Sequence, residues 1–329
     1  MGVGGGYLGA GVIQRQTVLI LGAGASMHLK FPSGRDLVTL VVDGLLNEAS
    51  ELVRLLRVCG FAPRMIYAFR DALQRSGRPS VDVFLEHRPE FLPLGKTAIA
   101  ALLTPFESEA NLFAAVPSWY SYLFTHLGPS LDDVKQSKLS VVTFNYDRSF
   151  EHYLFTALQN AFNLPTSEVL KHVDHGTSAS KFLHAIPVVH VYGQLGSLPY
   201  VGGENARPYE PPPADELAGV AVTIRDSIKI MHEGGGGDNL ALGRAAQLVG
   251  EADVICFLGF GYLEENLKRL GLNRRKGDAV VWGSAYGLGG GERVPVEAFF
   301  AHGNVGRNIA LGTSNQDALE FLRQHPVFV

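Results

Sequence analysis

Four short stretches carry residue types able to do chemistry on a nucleotide. They are Gly22-Ala23-Gly24-Ala25-Ser26, Asn145-Tyr146-Asp147, His190-Val191-Tyr192-Gly193 and Gly259-Phe260-Gly261-Tyr262. Each closes an apolar run, the first being Val18-Leu19-Ile20-Leu21. A glycine turn straight after a buried strand lets backbone amides approach a pyrophosphate. An ordinary tight strand-to-helix turn reads the same way, and Met27 stands where the usual dinucleotide pattern has a third glycine. Asn145 and Asp147 pair an amide with a carboxylate, able to hold ribose hydroxyls and position a water. Asp147 fits equally as the cap of a helix beginning near Ser149. His190 lies two residues before Tyr192, which on a strand puts both on one face. It is either a core histidine with satisfied hydrogen bonds or a general base titrating near neutrality.

Other candidates have blander readings. His172, Asp174 and His175 sit in a polar loop with no clear third ligand, so a solvated loop explains them better than a metal. Asp43 stands about twenty residues past the glycines, where a ribose-binding acid is expected, but inside a helical pattern. Arg274-Arg275-Lys276 reads as a solvated face.

The elements that must position these residues follow from hydrophobic period. Continuous apolar runs mark buried parallel strands, here six: 18–21, 139–144, 186–192, 253–258, 279–282 and 308–311. Residues 34–59 recur near a period of 3.6, as one helix or as two broken at Gly44. Residues 61–136 show no strand pattern and read as proline-punctuated helices, with a capped start at Pro79-Ser80. Helices are also expected over 149–162, 240–249, from Glu264, and at the C-terminus after Thr313-Ser314-Asn315. Residues 195–220 read as a long loop, of the kind that forms lids or stays disordered, and the glycine run 234–237 as a second flexible point. The fold expected is a Rossmann-like, doubly wound, mostly parallel α/β sheet of six strands. It is one domain over 1–329, with a core of 16–60 and 137–329 and a helical insertion at 61–136.

Composition narrows the function. A net charge of −4 offers no electrostatic footprint for nucleic acid. Two cysteines cannot form a four-cysteine zinc site, and they argue for a reducing compartment. The first sixteen residues lack the pattern of a secretion signal. No uncharged apolar run reaches about 18 residues, so no membrane span is expected. The location expected is the cytoplasm.

Taken together, the motifs resemble the sirtuin family, and more closely its prokaryotic sirtuin-like branch of NAD-consuming defence proteins. The resemblance rests on the ordered set Gly22–Ser26 with Pro32-Ser33-Gly34, Thr143–Asp147 with Glu151, and Leu258–Gly261 with Glu265-Asn266. It implies a Rossmann-like core with an inserted helical module and cleavage of NAD+ to nicotinamide and ADP-ribose. Residues 22–26 and Pro32 would hold the pyrophosphate, helped by the helix beyond. Asn145 would orient ribose and water, with His190 and Tyr192 the catalytic partners. Asp147 and Gly193 would also contact NAD, and Gly259, Gly261, Tyr262 and Glu265 would lie by the adenosine. The resemblance further implies an NAD-depleting, homo-oligomeric anti-phage effector working beside an ATPase- or Argonaute-type partner, with no metal. Two departures qualify it. Sirtuin deacetylases carry a four-cysteine zinc ribbon that this chain cannot build. The family histidine directly before a glycine is here Tyr192, with His190 two residues upstream. A non-catalytic NAD or ADP-ribose sensor and a protein deacylase remain alternatives.

Overall fold

In the computed structural model seven strands form a single sheet. They are β1 (Thr17–Leu21), β2 (Leu139–Thr143), β3 (Val173–Asp174), β4 (Ile186–His190), β5 (Val254–Leu258), β6 (Val280–Gly283) and β7 (Ala310–Leu311). Their spatial order is β3-β4-β2-β1-β5-β6-β7, and every pairing is parallel. The residues described are 12–114, 117–169, 173–174, 186–230, 240–275, 278–302 and 309–329. His172, His175, Lys276, Asn308, the glycine run 234–237 and residues 1–11 lie outside them.

Six strands stand where the apolar runs predict them; β3, two residues long, is too short to leave a pattern. With that edge strand set aside, the order is the doubly wound one, reversing direction between β1 and β5. β1 and β5 are buried at every position, as strands covered on both faces must be. The sheet is therefore Rossmann-like.

Eight helices separate β1 from β2. They are α1 (Gly34–Gly44), α2 (Glu51–Val58), α3 (Pro63–Arg75), α4 (Val81–His87), α5 (Leu92–Leu103), α6 (Glu109–Ala114), α7 (Trp119–Thr125) and α8 (Leu131–Gln136). The 34–59 pattern is broken at Gly44, as its composition allowed. Ser50 makes the break: its hydroxyl donates to Gly44 O and accepts from Val53 N–H, closing one helix and capping the next. Ser80 caps α4 as expected. α5 is buried nearly all round, packing against α1, α2 and a later helix formed by Leu217–Ile224.

Between β2 and β4 stand α9 (Ser149–Phe162) and the short α10 (Thr166–Val169); α11 is Leu217–Ile224. Then follow α12 (Leu240–Glu251), α13 (Glu264–Arg269), α14 (Gly290–His302) and α15 (Ala318–Gln324). α15 follows the Thr-Ser-Asn stretch as expected and is capped by Asp317 in a capping box with Glu320. Among the described residues no helix is long and apolar enough to cross a membrane.

The stretch expected as a loose loop from 195 is strapped down. Arg148 Nη1 donates to Ser197 O at 2.8 Å and Arg207 O at 3.0 Å, while Nη2 donates to Pro208 O at 3.0 Å. Arg207 Nε donates to Leu195 O at 3.0 Å. Both guanidiniums share the carboxylate of Glu107, which precedes α6. The stretch is thereby tied to the helical insertion, and regular structure resumes earlier than expected, at Leu217.

Candidate functional site

The four motif stretches follow β1, β2, β4 and β5, four adjacent strands, so the sheet delivers all of them to its carboxyl edge. That edge, at the reversal of strand order, is where ligands settle in open α/β sheets.

Its floor is backbone. Gly22 N–H donates to Leu258 O at 3.0 Å and Gly24 N–H to Gly259 O at 2.9 Å. A Cβ on Gly24 would stand 2.6 Å from Gly259 Cα, and one on Gly259 (φ +57°) 2.0 Å from Ala25 N. The glycines therefore let two turns touch, a reason different from the expected approach of a pyrophosphate. Ala25 N–H is also spent, on Gly22 O. These bonds leave the Ala23 amide outside them. The turn runs on as a 3-10 helix, Ala23–Leu29, rather than entering α1 directly. Pro32 follows, half-buried, and α1 starts later with its own Ser33–Asp36 capping box.

Above the floor, Ser26 joins two strand ends. Its hydroxyl donates to Asp147 Oδ2 at 2.9 Å and accepts from Asn145 Nδ2 at 3.2 Å. Asn145 Nδ2 also donates to Gly22 O at 3.0 Å. The side-chain bonds of Asn145 all run through Nδ2, and among the described residues no donor reaches its Oδ1. Asp147 lies one residue before Arg148, the N-cap of α9, and its Oδ1 accepts from Ser149 N–H at 3.2 Å, a bond close to the capping role the sequence allowed. Burial pushes its carboxyl up to about 6, against the bonds from Ser149 and Ser26 that favour the anion.

That shift sets a pH dependence. The folded chain binds this proton more tightly than the unfolded one, so stability falls as pH rises from about 4 to about 6, by about 3 kcal/mol. Asp147→Asn removes the decline. Melting curves of variant and wild type should lie close together near pH 4 and separate above pH 6, with the variant the more stable. A variant less stable at pH 8 would contradict the burial argument.

His190 and Tyr192 are not partners. β4 ends at His190, so the alternation that would align the two stops there. His190 Nδ1 bonds Asn145 O at 3.1 Å and Nε2 bonds Glu151 Oε1 at 2.9 Å. With both nitrogens engaged, the ring presents no free lone pair, and the expected role as base does not fit this geometry. Tyr192 donates its hydroxyl to Asn266 Oδ1 at 2.8 Å, with Arg269 Nη1 at 3.4 Å, and packs edge-on against Phe144.

The other expected contacts divide. Gly193 (φ +72°) is required by the chain crossing it, since a Cβ there would meet Ser227 O at 1.9 Å. Tyr262 spends its hydroxyl on Ser284 O at 2.9 Å with its ring against Phe257 and Phe260, so its side chain serves packing. Gly261 and Glu265 are exposed, and a Cβ on Gly261 would meet nothing within 4 Å. No packing reason accounts for that glycine.

Sequence reasoning gave no role to Glu151, Glu107 or Asp82, which accepts from the Tyr146 hydroxyl beneath the edge. Glu151 alone had a signal, standing one helical turn after Asp147 at the start of α9. Among the described residues, no group of three or more His, Cys, Asp or Glu side chains could hold a metal. An open cavity of about 320 Å³ lies at the opposite, amino edge, lined by Gln16, Lys138, Ser140, Pro187 and Glu251 among others. It holds none of the motif residues. No protein-family model matches the chain, and no curated protein matches it in sequence.

Proposed function

We propose that the chain is an NAD+ glycohydrolase, cleaving the bond between nicotinamide and ribose with water to give nicotinamide, ADP-ribose and a proton. The observation that carries this reading is the Asn145 amide. Two bonds hold it at the switch point of the sheet, its Oδ1 is left over, and a buried carboxyl titrating near neutrality stands one Ser26 hydroxyl away. A cationic nicotinamide is already a good leaving group, so no acid is required. Its departure leaves an oxocarbenium-like ribose, comparable to glycosidase transition states. Asn145 Oδ1 would accept from a ribose hydroxyl or from the attacking water. Asp147 would take the water's proton; a base with a pKa near the working pH is well placed for this. The Ala23 amide and the open edge at Gly261 and Glu265 would receive the rest of the dinucleotide.

Work as an NAD-depleting anti-phage effector, as a homo-oligomer beside an ATPase- or Argonaute-type partner, rests on the motif resemblance alone, and a cytoplasmic location on composition. A second reading, a non-catalytic NAD or ADP-ribose sensor, is favoured by the committed state of His190 and Tyr192. Incubating pure protein with NAD+ separates the two. Free nicotinamide is expected. Saturable binding by calorimetry without nicotinamide would select the sensor, and neither signal would end both readings.

A further inference from the structure

Glu151 and His190 are ionisable, in contact, and unused by the chemistry above; their side chains are 4% and 7% exposed. Parallel pairing sets His190 opposite Thr143. From there its ring reaches past the end of β2 to Asn145 O, while its other nitrogen meets Glu151 on α9. A carbonyl oxygen can only accept, so Nδ1 carries a proton; with Glu151 ionised its oxygen likewise accepts, and Nε2 then carries the second. We propose that Glu151 holds His190 as an imidazolium that clamps the backbone of Asn145, making both of them positioning residues for the Asn145 amide and not a catalytic base. The idea rests on the reading of Asn145 as the group that touches substrate.

The electrostatics agree. Burial pulls the His190 pKa down, but the Glu151 charge and hydrogen bond, Asn145 O and the Asp147 charge outweigh it and raise it above the ordinary value. Glu151 and Asp147 are the charged groups facing the ring.

Base and clamp have opposite pH signatures. A base must shed its proton, so activity would rise with pH through the titration of His190. A clamp must keep both protons, so activity is lost as pH rises through that same pKa. The test combines nitrogen NMR of histidine-labelled whole chain with pH profiles of NAD+ cleavage, for wild type and Glu151→Gln. Both His190 nitrogens should be protonated at pH 7. Glu151→Gln should move the alkaline limb of activity down by about one to two pH units and lower kcat with little change in KM. Glu151→Asp, which keeps the charge, should restore part of kcat. A neutral His190 at pH 7, or activity rising through its titration, would overturn the clamp. Should the wild type release no nicotinamide, the hydrolase reading falls by itself. The clamp is then judged on the Asn145 side-chain amide signal, which Glu151→Gln must broaden or shift and which, left unchanged, refutes it.

Discussion

Asn145→Ala will cut NAD+ cleavage at least about a hundredfold while the protein stays folded. Removal of one preorganised hydrogen-bonding group facing a reacting centre has that order of effect. The loss should fall on turnover more than on binding, because the glycine turn and the open edge at Gly261 lie apart from the amide. Stability should drop modestly, since Gly22 O and Ser26 each lose one donor. Nicotinamide release beside a binding titration and a melting curve reads all three. Normal turnover in a folded variant would remove Asn145 from the site.

Glu107→Ala will destabilise the fold by about 3–5 kcal/mol, the usual cost of breaking a buried ion pair on one side. Glu107 and Arg148 have side chains with no exposure at all, and Arg207 shares the same carboxylate. Without it two guanidiniums stay buried without an anion. Burial already lowers Arg207 to about 10 with the carboxylate in place. The loss should also release the 195–210 strap, so limited proteolysis should cut there in the variant and not in the wild type. The exposed Arg88–Glu90 pair is a control: Glu90→Ala should leave the urea midpoint nearly unchanged. An equally small effect for Glu107→Ala would mean the cluster is hydrated.

The sheet was legible because parallel strands covered on both faces need continuous apolar runs, and such runs leave few alternatives. Even the break at Gly44 and the cap at Ser80 followed from local chemistry. The site was legible only in part. Ser26, Asn145 and Asp147 converge because adjacent strands end together, which a strand-end argument anticipates. His190 and Tyr192 diverge because β4 stops at His190, and where a strand stops depends on its neighbour's register. Gly24 and Gly259 illustrate the same limit: glycine marks a close approach without naming what approaches. Here it is another turn, 235 positions along the chain. Glu107, Arg148 and Arg207 carry no signal in the sequence, since nothing local says that three distant segments will bury them together.

The position of β1 also governs the order of assembly. This central strand is made before every other strand of the sheet, yet its neighbours are β2 and β5. The backbone contact beside its start, from Gln16 N–H to the Asp253 carboxylate, spans 237 residues. At roughly 5–20 residues per second of synthesis, β5 leaves the ribosome on the order of 10–50 seconds after β1. Through that interval one edge of Thr-Val-Leu-Ile-Leu has no strand to pair with, and unpaired apolar edges are sites of aggregation. The helical insertion and β2 are made in the meantime and can cover its faces and one edge. Nascent chains halted before residue 254 would therefore be the ones that most need a chaperone.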